Sequence, residues 1–488
     1  MGKRSEVIFG NRMSGQVVKK AENSKERFVK RFGDDSDVDY PLAVAKNPYI
    51  GDSLGVSNIV IDGGVSDDAD AGEREAFDRD KGIIVGNIRM GFGHYRISMA
   101  IASAANHLGY KPYWMDLNSY SETTGGKVIE AQNKLYSLGS RISGKSKAFN
   151  KVVWEPMNYE GFRKLSYNAS DQMNAELMTP VFGNVPKDIP LVATHVWAGP
   201  GAGPLFSIPD NWPMALHLAE GSLHTVQTRS SYLGYRTLNG MQGDEVLKPM
   251  PGDSIRYVGH YIDHELVAAI EEDCDRRIER RKKRAPMRFL LTIGGAGAQK
   301  DIFAAIIRTA LASVKKGNMV LYVNVGDYMN VWEELVREIP AMESLVTTHF
   351  DDWSDTTAFA DKALKEEVYG IHAFCHENIY EAVYCTNLLM RSCDVLITKP
   401  SELAFYPVPK LFIKRVGGHE QWGAIHSAEI GDGTLECRDI PHTLQMMKLF
   451  MQDDSILTDM CENIKRNKLD GIYDGAYEVV KLAMDMKN

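Results

Sequence analysis

Ile83-Ile84-Val85-Gly86-Asn87-Ile88 is followed by Arg89-Met90-Gly91-Phe92-Gly93-His94, and then by Ile97, Ala100, Ile101, Ala104, Ala105 and Leu108. This stretch decides the fold. Its first part is short and apolar on both faces, the pattern of a strand buried in a parallel sheet. Its second part is a glycine-rich turn. Its third part repeats apolar residues at helical spacing, and Gly109 stands where a helix C-terminal glycine belongs. Tyr113-Trp114-Met115-Asp116-Leu117 supplies the next strand. Strand, turn, helix and strand in that order make a βαβ unit, and such units build parallel sheets.

The same order restarts at Arg288. Phe289-Leu290-Leu291-Thr292-Ile293 reads as a strand and Gly294-Gly295-Ala296-Gly297-Ala298 as the turn. Ile302, Ile306, Ala310 and Leu311 form the apolar stripe of a helix. Leu321-Tyr322-Val323-Asn324-Val325 is the strand after it, and further strands are expected at 370–374, 395–398 and 411–413. The expected fold class is α/β, with two doubly wound, Rossmann-like domains. The length agrees: 488 residues at roughly 150 per domain make about three domains, or two large ones with an extension. Residues 1–80 carry the acidic runs Asp34-Asp35-Ser36-Asp37 and Asp67-Asp68-Ala69-Asp70 and little periodicity. They read as an N-terminal extension, partly ordered, with one strand near 58–62.

Composition bounds the function. Apolar residues are 44% and charged residues 25%, ordinary for a folded domain. Lysine and arginine number 56 against 65 acidic residues, so the net charge of −9 argues against a nucleic-acid partner. No run of 18 apolar residues suggests a membrane-spanning helix, and Met1-Gly2-Lys3-Arg4-Ser5-Glu6 has no apolar core behind it to read as a secretory signal. Six cysteines without a C-x-x-C pair are no disulfide framework. The expectation is a cytoplasmic, reduced protein. Residues 266–286 read as a linker. They hold the run Arg276-Arg277-Ile278-Glu279-Arg280-Arg281-Lys282-Lys283-Arg284, taken as a solvated helix end. The sharper alternative is a patch for anionic lipid headgroups, partly cancelled by Glu271-Glu272-Asp273.

A glycine-rich turn entering a helix presents backbone N–H groups and the positive end of the helix dipole, which suits an anion. Glycines leave room for a phosphate to approach. Gly294, Gly295 and Gly297 fit that in context. No G-K-[ST] follows, so the turn is not a P-loop, and no acidic residue ends the next strand as in a dinucleotide fingerprint. His94 stands at the start of its helix, where the dipole disfavours the imidazolium and leaves a neutral base. The plain alternative is a capping or packing histidine.

These segments resemble the GT-B glycosyltransferases that act on lipid acceptors: monogalactosyldiacylglycerol synthase and the processive diacylglycerol glucosyltransferases, related to the GlcNAc transferase of peptidoglycan synthesis. Gly91-Phe92-Gly93-His94 with Ser98 and Ala100 is similar to the family's G-G-G-H turn and helix. Lys134–Ser137 and Phe149–Trp154 are similar to its acceptor segment, and Ile189–His195 to a strand ending in S-T-H. Pro213–Glu220 resembles a strand that ends in T-D, with Glu220 in the place of the aspartate. The most specific block is Cys393-Asp394-Val395-Leu396-Ile397-Thr398-Lys399-Pro400, close to S-D-V-L-I-T-K-P, with Gly417-Gly418-His419-Glu420-Gln421 beyond it. The family's G-G-x-T after Lys399-Pro400 is missing here, and Ser401-Glu402 follows at once.

The resemblance implies a GT-B arrangement of two domains, 81–265 for the acceptor and 287–465 for the nucleotide sugar, facing across a cleft. A C-terminal helix in 466–488 would pack back on the first. It implies transfer from a nucleotide sugar, a UDP-sugar first among them, to a hydroxyl of a lipid or amphiphilic acceptor, without a bound cofactor and without metal ligands. His94, Glu220 and His195 are the implied candidates for the base. Gly294, Gly295 and Gly297 would hold the diphosphate, Phe374, Ile379 and Ser401 would lie around the nucleotide, and Glu402 would take the ribose. His419, Glu420 and Gln421 would reach the sugar. Contact with the inner face of a membrane is compatible with such an acceptor. Two alternatives stay open: an enzyme on the same fold with a soluble acceptor or an epimerase-like reaction, and a degenerate scaffold that only binds.

Overall fold

Short apolar runs, buried on both sides, build two sheets. The computed structural model describes residues 6–63, 74–89, 91–145, 164–199, 205–207, 213–215, 217–241, 245–293 and 299–487, with backbone alone for 136–145 and 206. The chain divides into two units, Met1–His264 with Asp474–Asn488, and Glu265–Tyr473.

In the first unit the sheet order is Ile255–Tyr257, Leu223–Val226, Leu205–Ser207, Leu191–Ala193, Gly82–Asn87, Lys111–Asp116, Ser57–Ile61, Leu42–Lys46 and Arg74–Glu75. Neighbours run parallel except Leu42–Lys46, which is antiparallel to both strands beside it. Gly82–Asn87 is buried at every position, as a central parallel strand must be. Successive side chains leave a strand on opposite faces. Ile83 and Val85 join the core made by helix Gly93–His107 and helix Gly475–Asp485, and Ile84 joins the core on the other face. Helix Gly475–Asp485 lies close because its first residue is small: a Cβ on Gly475 would stand 2.3 Å from the Gly259 carbonyl oxygen.

Residues 42–61 depart from the reading as an extension, since both of their strands are part of this sheet. Helix Gly15–Phe32 packs on helix Leu165–Ala175 of the same unit. Periodicity concealed this, because strands of five residues leave too short a pattern to count.

The second unit is a six-stranded, all-parallel sheet in the order Val346–Phe350, Gly370–Cys375, Met319–Asn324, Met287–Thr292, Val395–Thr398 and Lys410–Phe412. The arginine run, as far as Lys282, is helical and not a bare connecting segment. It lies in helix Ile270–Lys282, which belongs to this unit. Arg277 is buried and donates to the carbonyls of Cys393 and Met390. Arg280 pairs with Glu367 and Asp394, and Arg281 with Asp454. Arg277 and Arg280 fasten the helix to the chain entering strand Val395–Thr398 and Arg281 fastens it to helix Asp454–Leu469, so three of the charges that looked solvated are spent internally. Among the described residues, no helix is long and apolar enough to cross a membrane.

Candidate active site

Open parallel sheets bind ligands at the carboxyl ends of their strands, where the winding reverses. In the first unit Gly82–Asn87 has Lys111–Asp116 on one side and Leu191–Ala193 on the other, so the reversal lies between Gly82–Asn87 and Leu191–Ala193. The segments leaving those two ends carry His94 and His195.

His94 is held against the first sheet: its Nδ1 lies 2.8 Å from the carbonyl oxygen of Thr194. A carbonyl only accepts, so Nδ1 donates, and Nε2 holds the lone pair of the neutral ring. Thr194 is itself held, its N–H donating to the Gly86 carbonyl at 2.9 Å and its hydroxyl lying 3.3 Å from that of Ser98. The His94 ring is therefore held from the central strand outward. Gly91 has φ +89°, and a Cβ on Gly91 or Gly93 would meet nothing within 4 Å.

His195 sits edge-on to His94, ring centroids 5.3 Å apart. Its Nδ1 accepts from the Trp197 N–H at 3.1 Å, which caps the short helix Val196–Ala198. Burial, helped by His94 and His217, holds its pKa well below the ordinary histidine range. His195 is thus a neutral ring with its proton on Nε2. His217 follows at 5.8 Å between centroids, with its Nδ1 3.7 Å from Asp171 Oδ2. Glu220 has a different task. Its Oε2 accepts the Phe9 N–H at 2.5 Å, and Phe9 has φ +46° in the turn between Val7–Ile8 and Asn11–Arg12. The carboxylate anchors that hairpin.

In the second unit the reversal lies between Met287–Thr292 and Val395–Thr398. Gly294, Gly295 and Gly297, which leave the first of these strands, lie outside the described residues. Thr292 Oγ1, at that strand's end, is buried without a hydrogen bond. Beyond the other strand, Lys399 Nζ donates to Glu420 Oε1. Glu420 Oε2 accepts from Val416 N at 2.7 Å and Gly417 N at 3.2 Å. Burial pushes the Glu420 carboxyl up, but the Lys399 charge, His419 and these hydrogen bonds outweigh it and hold the pKa below the usual range. Glu420 is therefore engaged by protein on both oxygens, which corrects its expected place on the sugar. Ser401 precedes the short helix Glu402–Phe405. Helix Gln421–Glu429 rests on the same turn, since a Cβ on Gly423 would stand 2.7 Å from the Pro400 carbonyl oxygen. Ser401, Glu402, His419 and Gln421 are thereby brought to one corner.

Phe374 is not available to a nucleobase. It is fully buried in Gly370–Cys375, two strands from the reversal, and stacks on His349 with centroids 4.7 Å apart. Alternation turned it into the core. Ile379 opens helix Ile379–Ser392, capped by the Asn378 side chain accepting from Tyr380 N and Glu381 N. Sequence reading missed Asp171, Asn174 and His217. Tyr167, Asp171 and Asn174 fall at i, i+4 and i+7, a polar stripe that the helical template would have exposed. Among the described residues no group of three or more His, Cys, Asp or Glu is placed to hold a metal ion.

Two domain families match the sequence, both described as domains of unknown function: DUF6937 over residues 7–237 and DUF6938 over residues 250–484. No curated protein matches it. Among solved structures, UDP-GlcNAc 2-epimerase from Neisseria meningitidis bound to UDP-GlcNAc is similar over 83% of this chain and 100% of its own, with TM-score 0.38 and 11% identity. A glycosyltransferase from Rickettsia africae is similar over 83% and 98%, with TM-score 0.39 and 10% identity. HepE of Anabaena, in complex with UDP and glucose, is similar over 83% and 99%, with TM-score 0.37 and 9% identity.

Proposed function

We propose that the chain is a glycosyltransferase of the GT-B kind, moving a sugar from a nucleotide donor, a UDP-sugar first among them, to an acceptor hydroxyl. The observation that carries this reading is the fixing of His94. Its Nδ1 is bound to the Thr194 carbonyl at a sheet reversal, so the neutral ring presents Nε2 as a base. In the reaction the acceptor oxygen attacks the anomeric carbon of the donor. The bond from that carbon to the diphosphate breaks, and the acceptor proton passes to His94 Nε2. The nucleotide diphosphate leaves with the bonding pair.

The second unit supports the donor role by its all-parallel sheet and by the buried, unbonded Thr292 hydroxyl where the glycine-rich turn begins. Glu402 would accept from the ribose diol, and His419 and Gln421 would meet sugar hydroxyls. Glu420 would act through Lys399 and the loop at Val416 and Gly417, which it holds in place.

The test is a donor screen on the full chain. UDP-, GDP- and ADP-linked hexoses are offered with sugar and diacylglycerol acceptors, and release of nucleotide diphosphate is measured beside melting temperature. A bound nucleotide raises the melting temperature by mass action. Acceptor-dependent release from one donor is expected. Interconversion of the sugar without any acceptor would turn the reading into an epimerase, and neither release nor a melting shift would end it.

A further inference from the structure

The buried polar face of helix Leu165–Ala175 is not explained by base or donor. Asp171 and Asn174 stand three residues apart, so their side chains leave the helix on one side, and Tyr167 lies on that side one turn earlier. Asp171 is 4% exposed and Asn174 is 6% exposed. Asp171 Oδ2 and Asn174 Oδ1 nevertheless make no hydrogen bond. A buried polar atom without a partner is costly, and natural proteins rarely keep two side by side.

The neighbourhood gives these atoms a direction. His217 lies 3.7 Å from Asp171 Oδ2, and its ring faces those of Tyr167 and His195 at 6.3 and 5.8 Å between centroids. His195 in turn borders His94 at 5.3 Å. Trp197 donates its indole N–H to the Asp171 carbonyl at 3.0 Å, which fixes the helix against the histidines. The set is no metal centre, because among the described residues no such group is placed to hold an ion. Nor does it suit an acyl chain, which would bury a carboxyl and an amide oxygen against hydrocarbon. Both open atoms are acceptors, so their partner must bring O–H or N–H donors, at least two and close together. A sugar ring has that arrangement of vicinal hydroxyls.

We propose that Asp171 and Asn174, with His217 beside them, bind adjacent hydroxyls of a sugar ring, and that this sugar is the acceptor whose hydroxyl is presented to His94. The second half of the statement rests on the transferase reading; the binding of a sugar does not. It separates the two acceptor classes, placing a glycoside or free sugar here in preference to the glycerol end of a diacylglycerol.

The test titrates the full chain calorimetrically with methyl glycosides of glucose, galactose, mannose and N-acetylglucosamine, with dioctanoylglycerol micelles as the lipid arm and UDP as the nucleotide arm. At least one methyl glycoside is expected to bind. Asp171→Asn should weaken it about tenfold or more, the loss of a charge-assisted hydrogen bond. Asn174→Asp, which keeps the acceptor, should weaken it less than Asn174→Leu. Melting temperatures of all three variants report whether each is folded, and Asp171→Asn, which preserves shape, remains informative if Asn174→Leu is not. Glycoside binding lost in Asp171→Asn while UDP neither binds nor is released would uphold this site and end the transferase reading. Binding of dioctanoylglycerol but of no glycoside, or glycoside binding unchanged in Asp171→Asn and Asn174→Leu, would overturn the site and leave the transferase reading standing. Failure of every glycoside to bind would mean that water alone satisfies these atoms, and would also overturn it.

Discussion

Two sets of buried polar groups contrast, one in each unit. Past Val395–Thr398, Lys399 is answered by Glu420 and Glu420 by two backbone N–H groups. At the opposite end of the neighbouring strand, whose first residue it is, Lys410 is answered by Asp432 at 2.8 Å and by the carbonyls of Tyr406 and Val408. Past Gly82–Asn87 the polar groups keep capacity in hand. Asn87 is fully buried with neither side-chain atom hydrogen-bonded, and Asp171 and Asn174 each leave an acceptor open. Burial of a charge is tolerable when it is paired and hydrogen-bonded, and burial of an unanswered polar atom is not. The saturated groups Lys399, Glu420 and Lys410 hold architecture, and the open acceptors of Asp171 and Asn174 are the ones proposed to meet a ligand.

The largest effect should come from His94. His94→Gln keeps a polar side chain at the helix start but removes the basic nitrogen. Turnover is expected to fall about 10²–10⁴-fold, the usual worth of a general base, while UDP affinity stays near that of the unaltered chain. Single-turnover rates and UDP titrations on one preparation check this. Near-normal turnover in a folded His94→Gln protein would make His94 a structural residue, and the comparison between the sheets would lose its functional half.

Lys410 tests the architectural half. The ammonium is fully buried, and burial holds its pKa below the ordinary lysine range despite Asp432. Lys410→Met strands the Asp432 carboxyl among Ser427 and Tyr473. A loss of about 3–5 kcal/mol is expected, as for other broken buried pairs. Lys410→Met with Asp432→Leu should recover part of that. Urea denaturation midpoints read both, and a neutral Lys410→Met would show that saturation here carries no structural weight.

The strand–turn–helix order of both sheet centres was legible because apolar runs and glycine turns are local signals. His94 and His195 were legible for the same reason, each ending a recognisable strand or starting a recognisable helix. What could not be read depended on distant pairing. Nothing in Arg277 or Arg280 announces that carbonyls and acids more than a hundred residues away will absorb them. Nothing around Phe9 announces Glu220. Phe374 was misassigned because a strand end looks the same whichever way its last side chains point. Asp171 and Asn174 were readable as a stripe, but their meaning lies in what they fail to contact, which no sequence states.

Acid should act on both units through buried neutral histidines. Burial lowers His224 in the first unit, and His372 and His426 in the second, to about 4 each. A depressed histidine is protonated more readily in the unfolded chain, so stability falls as pH drops from about 6.5 towards 4. By pH 5 each would remove at most about 2 kcal/mol. Asp116, raised to about 6 mainly by burial, runs the other way: its contribution is present at low pH and is lost as pH rises through 6. Urea midpoints at pH 7, 6 and 5 should therefore fall together, and fall further in Asp116→Asn, which lacks the opposing group. A midpoint that rises between pH 7 and 5 would contradict the burial of these rings.

The smallest effect sharpens the comparison most. Gly93 is the first residue of helix Gly93–His107, its φ is not in the left-handed region, and a Cβ there would meet nothing within 4 Å. Neither backbone conformation nor protein packing asks for glycine. Gly93→Ala should stabilise the first unit by about 0.4–1 kcal/mol through the lost freedom of the unfolded chain. If the space over the helix start belongs to a ligand, the same methyl group should lower turnover although it raises the melting temperature. Gly91→Ala is the contrast, since φ +89° makes any side chain there strained and stability should fall. A Gly93→Ala protein both more stable and fully active would show that the open space at this sheet end is left to solvent, and would confine the ligand to the Asp171 side of the histidines.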